Sequence, residues 1–79
     1  MNRYIQVLTT VSKKSDAGKI AKYLIDKRFA ACVQIIGPIK SIYRWKGKIE
    51  TAKEFVCVIK TRKNLYKKVV DNAYLESWE

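Results

Sequence analysis

Two cysteines, Cys32 and Cys57, are the residues best suited to thiol or soft-metal chemistry in this 79-residue chain, which contains no histidine. Without an imidazole, neither a cysteine nor a serine has its usual activating base, and no Gly-x-Ser-x-Gly turn is present. The acids Asp16, Asp26, Glu50, Glu54 and Asp71 offer no pair at helical spacing in a cleft, so they read as surface charges or caps. The chain is expected to bind rather than to catalyse. The stretch "SIYRWKGKIE" (41–50) is the other suggestive group: Tyr43 and Trp45 stand two residues apart, followed by Gly47 and Glu50. A hairpin tip needs only the glycine. The two rings must serve packing, a partner surface or a site, and the residues alone leave these open.

The elements that would position these residues follow from apolar periodicity. Tyr4–Val11 is β-branched and apolar on both faces, as in a strand inside a sheet. After a loop at 12–15, Ser15 or Asp16 is expected to cap a helix with Ala17, Ile20, Ala21, Leu24 and Ile25 on its buried side. From Ala30 the period drops to two, placing Ala31, Val33 and Ile35 on one face and Cys32, Gln34 and Ile36 on the other. Gly37-Pro38 predicts a bulge or bend, and Lys46-Gly47 a hairpin turn. The return strand, 48–61, sets Phe55, Cys57 and Ile59 opposite in direction to Val56 and Val58. Thr61 is expected to cap a second helix with a stripe of Leu65, Tyr66, Val69 and Val70. An unbulged hairpin would set Cys57 against Ile36 and Cys32 against Thr61, about 13 Å apart along the strands. That is beyond disulfide reach, so Cys57 is read as core.

The order is βαββα, one strand short of the ferredoxin-like α+β plan, in which helices cover one face of an antiparallel sheet. Residues 1–79 form one domain. A chain this short buries only roughly 60–65% of its unfolded surface, so added cover for the second sheet face argues for an oligomer. The net charge of +10 could mark a nucleic-acid partner, but the lysines are dispersed and no nucleic-acid motif accompanies them. It is read as a solvated basic face. No membrane span or secretory signal is read, and unpaired thiols suit the cytoplasm.

Several phrases, in order, make the chain resemble the CutA family of divalent-cation tolerance proteins. They are "VLTTV" (7–11), "IAKYLIDKRFAACVQI" (20–35), "SIYRWKGKIE" and "VIKTRKNLY" (58–66), together spanning 4–71. The resemblance implies a ferredoxin-like subunit in a PII-like homotrimer whose long hairpins reach neighbouring chains. It makes Cys32 the candidate metal ligand, with copper or another divalent cation the only cofactor expected, since a thiolate suits copper. It also makes Tyr43, Trp45, Glu50 and Lys60 candidates to line an inter-subunit interface or pocket. The pattern departs from the family at 71–72, where Asp71 runs directly into "NAYLESWE" and the fourth strand is missing. A stretch lost there would show as a Cα separation well above 3.8 Å, and its absence would leave the first strand with a bare edge. The rival reading is a basic ferredoxin-like module that binds RNA or DNA on its sheet, which requires exposed aromatic side chains there.

Overall fold

The computed structural model describes residues 3–77. Three strands, β1 (Tyr4–Val11), β2 (Cys32–Trp45) and β3 (Lys48–Arg62), form an antiparallel sheet in the order β1-β3-β2. Two helices, α1 (Lys14–Asp26) and α2 (Tyr66–Ser77), pack on one face, with a short 3-10 turn, Lys63–Leu65, leading into α2. The expected α+β architecture is therefore present.

Alternation along the central strand decides which face is covered. Cys57, Ile59 and Thr61 of β3 are buried, and they pair with Thr9, Val7 and Ile5 of β1. Ile20 and Leu24 from α1 and Val69 from α2 close over them, and all three are fully buried. The intervening residues Tyr4, Gln6 and Leu8 of β1 point to the open face, where Leu8 is 64% exposed.

Both helix caps differ from expectation. α1 begins at Lys14, so Ser15 and Asp16 lie inside its first turn; Lys13 is the N-cap and offers no side-chain bond. Asp16 still places a negative charge near the helix N-terminus. Thr61 does not cap α2. It stays in β3, and its hydroxyl donates to the Phe29 carbonyl at 2.6 Å, tying the end of α1 to the sheet. Of the expected second stripe, Val69 is buried, Leu65 and Val70 are half-buried, and Tyr66 is exposed.

α1 ends in a Schellman arrangement. The Phe29 amide donates to the Leu24 carbonyl and the Arg28 amide to the Ile25 carbonyl. Phe29 also meets the Tyr23 ring edge-on, centroids 6.5 Å apart. The left-handed position is occupied by Arg28, φ 62°, where glycine is usual. An L-residue there costs about 1 kcal/mol.

The expected bulge is present. Gly37 and Pro38, joined by a cis peptide, oppose the single residue Phe55, so pairing shifts by one between Ile36 and Ile39. A Cβ on Gly37 would lie 2.6 Å from Phe55 Cδ2 and 3.1 Å from the Glu54 carbonyl oxygen, which only glycine avoids. Beyond it the hairpin continues as an arm to the Lys46-Gly47 turn, both residues at positive φ, the primed geometry of a two-residue hairpin. Helix α2 passes through Asp71 and Asn72 without a break, and the described sheet has three strands. Trp78 of the terminal phrase lies outside the described residues.

Two substitutions test this core. Thr61→Val leaves the Phe29 carbonyl without its hydroxyl donor and is expected to cost about 1–3 kcal/mol in urea unfolding. Gly37→Ala is expected to destabilise by a similar or larger amount through contact with backbone as well as the Phe55 ring. An unchanged urea midpoint for either variant refutes the corresponding contact.

Candidate functional site

Pairing beyond the bulge places Tyr43 opposite Glu50 and Trp45 opposite Lys48 on one face of the arm. Ser41 shares that face, and its hydroxyl donates to Glu54 Oε1 across the hairpin. The apolar side chains of the arm stay outside the core: Trp45 is 60% exposed, Ile42 66% and Ile49 63%. The Lys46 ammonium lies 5.8 Å from the centre of the Trp45 ring, a cation–π contact that packs the ring against its own turn. A shallow groove of about 370 Å³, lined by Pro38, Ile39, Lys40, Thr51, Ala52 and Lys53, runs along the arm root.

Of the residues singled out from sequence, Tyr43, Trp45 and Glu50 come together on the arm. Lys60 does not join them within one chain. It stands ten residues along β3 from Glu50, about 33 Å at the rise of an extended strand, and pairs with Cys32 instead. The bulge corrects the expected hairpin register: Cys32 faces Lys60 rather than Thr61, and Cys57 faces Ile35 rather than Ile36. The thiols are three pair positions apart, about 10 Å along the strands, still beyond disulfide reach. An odd separation also turns them to opposite faces. Cys32 is exposed on the open face, and Cys57 is buried under the helices.

The open face therefore carries Cys32, Gln34 and Ile36 from β2, Lys60, Val58 and Val56 from β3, and Leu8 from β1. Among the described residues no group of three or more histidine, cysteine, aspartate or glutamate side chains could hold an ion. Cys32 has a lysine, not a second donor, across from it. The Cys32–Lys60 pairing is what a one-residue bulge at Gly37-Pro38 produces from the unbulged register.

Burial pushes the Cys57 thiol above its ordinary value of 9.0. The folded chain thus holds this proton more tightly than the unfolded chain does. The resulting stability is complete below the ordinary thiol value and is lost as pH rises through the raised folded value.

A sequence model of the family described as "CutA1 divalent ion tolerance protein" matches residues 5–75. The "Divalent-cation tolerance protein CutA" of Archaeoglobus fulgidus is 44% identical over 71 residues, 90% of this chain and 67% of that protein. "Protein CutA" of Homo sapiens is 44% identical over 62 residues, 78% of this chain and 35% of that protein. The solved "Periplasmic divalent cation tolerance protein CutA" from Archaeoglobus fulgidus superposes with a TM-score of 0.90 at 38% identity, over 96% of this chain and 74% of that one. The chain thus spans about two thirds of one relative's length and about one third of the other's.

Thiol chemistry checks the two cysteine environments. Cys57 is expected to resist iodoacetamide in the native state and to react after denaturation. Cys57→Ala is expected to lose less thermal stability than the parent chain between neutral pH and pH values above the ordinary thiol range. Equal alkaline losses in the two proteins would refute the buried-thiol contribution.

Proposed function

The chain belongs to the CutA1 divalent ion tolerance family, and on that premise we propose that it works as a homotrimer that binds copper or another divalent cation and contributes to tolerance of it. It acts by binding, not by turnover. The observation that carries the assembly is the apolar surface one chain leaves wet. Leu8 and Tyr4, each 64% exposed, and Ile36, 53% exposed, occupy the open sheet face, while Trp45, Ile42 and Ile49 line the arm. Large apolar side chains left exposed in both regions support an interaction surface. Neighbouring copies that cover the sheet and accept the arm would bury both regions, with Tyr43 and Trp45 as aromatic anchors. The same assembly can bring Glu50 of one chain toward Lys60 of another, a meeting the hairpin forbids within one chain.

The metal reading rests on that assembly. Cys32 alone is a poor site, but three copies facing a common axis would supply three thiolates, a donor set that suits copper(I). Lys60 beside each thiol opposes a bound cation, and the thiolate charge would have to offset it. Two free thiols favour the reducing cytoplasm, although the Archaeoglobus structure is described as periplasmic; fractionation followed by immunodetection decides the compartment. No described helix is long and apolar enough to cross a membrane.

Light scattering during size exclusion should give about 28 kDa, three times the 9.2 kDa chain, and Trp45→Lys should shift it toward the single-chain mass. A mass near 9 kDa for the parent chain ends the trimer reading. Copper(I) titration should lose its heat in Cys32→Ser; an unchanged isotherm removes Cys32 as the ligand. Tight, steeply salt-dependent binding of a generic oligonucleotide would instead support a nucleic-acid role for the basic surface.

A further inference from the structure

At the end of the sheet remote from the arm, a cleft of about 520 Å³ opens between the C-terminal turn of α1 and the end of β3. Arg28 enters from α1 and Arg62 from β3, with Asn64, Tyr4, Ile25 and Leu65 completing the walls. We propose that this cleft binds a small organic phosphate, with Arg28 and Arg62 gripping the phosphate from two sides.

Three observations point to an anionic ligand. No aspartate or glutamate is among the residues that line the cleft. The ion pair found among the described residues is Lys67–Asp71, on the surface of α2, so neither arginine is neutralised by a carboxylate there. Arg28 also sits in the left-handed conformation that closes α1, where glycine would be free of strain. Strain held at a cleft by a charged side chain is the pattern expected of a ligand-binding position. The fold needs a residue at that position able to take positive φ; it does not need a guanidinium.

The chemistry narrows the anion. A carboxylate is satisfied by one guanidinium fork, whereas a phosphate presents three terminal oxygens and can accept from two forks at once. Asn64 adds an amide that can donate to the third oxygen. The Thr61 hydroxyl, also at the wall, is already committed to the Phe29 carbonyl. The volume lies in the range of small-molecule sites and exceeds what a bare phosphate fills. The phenol ring of Tyr4 and the side chains of Ile25 and Leu65 offer apolar contact to the organic remainder. All of these residues come from one chain and Cys32 is not among them; Tyr4 and Arg62 stand at the rim of the open sheet face, so the site is tested on the protein in its assembled state.

Phenyl phosphate, inorganic phosphate and benzoate, each titrated calorimetrically at matched ionic strength, test the assignment. Phenyl phosphate should bind saturably and more tightly than either of the others. Arg62→Ala should weaken it by about tenfold or more, the loss expected for one charge-assisted bidentate contact. Lys19→Ala, on the outer face of α1, should leave it unchanged. Arg28→Gly separates the two roles of its position: binding should fall while the thermal midpoint rises by roughly a few degrees as strain is relieved. Benzoate binding as tightly as phenyl phosphate overturns the phosphate assignment. Equal weakening by Lys19→Ala and Arg62→Ala reduces the effect to general charge and overturns the site. Full retention of binding by Arg28→Gly removes Arg28 from it.

Discussion

Burial of alternate side chains on β3 is the constraint from which the rest of the molecule follows. Cys57, Ile59 and Thr61 face the helices and are sealed, and the strand pairs on both sides, so it joins β1 and β2 into one sheet beneath the helices. Because the side-chain period of a strand is two, this choice also sends Val56, Val58 and Lys60 to the other face. The helices then have one surface to cover, and they cover it. What is left is a sheet with a dry side and an open side, the open side exposing Tyr4, Leu8 and Ile36 around a buried Val58.

The parts legible in the sequence are those where periodicity reports burial directly. β1 runs over Tyr4–Val11 as its β-branched composition predicts, though at the sheet edge rather than inside the sheet; the α1 stripe packs through Ala17, Ile20 and Leu24 while Ile25 stays exposed, and Lys46-Gly47 makes the turn. Caps were less legible. Ser15, Asp16 and Thr61 are all good capping residues by type, yet the N-cap of α1 is Lys13, two residues before Ser15, and Thr61 stays in the sheet with its hydroxyl bonded to Phe29. At Thr61 local preference yielded to a tertiary contact. The Gly37-Pro38 pair announced a bulge, and the structure sets its two residues opposite Phe55, with the Phe55 ring close against Gly37.

The candidate site divides in the same way. Tyr43, Trp45 and Glu50 share a face because a regular hairpin counts predictably from its turn. Lys60 was grouped with them by expected contact between chains, and within one chain it belongs beside Cys32. The Arg28–Arg62 cleft had no sequence signature, since its two walls come from residues 34 positions apart that meet only after α1 folds back on β3. Arg28 itself looks unremarkable as a letter. Its backbone angle is what singles it out.

The bulge separates the hairpin into two regions with different obligations. On the body side, alternate β2–β3 pairs, Val33–Ile59 and Ile35–Cys57, face the helices, and a change in them is felt there. On the tip side, the ladder runs clear of the helices and most of its large apolar side chains already meet water. Folding of the subunit and recognition by its neighbours can therefore be tuned on separate stretches of the same ribbon. A lineage could re-specify which copies it joins by rewriting the distal half, with the proximal half holding the architecture constant.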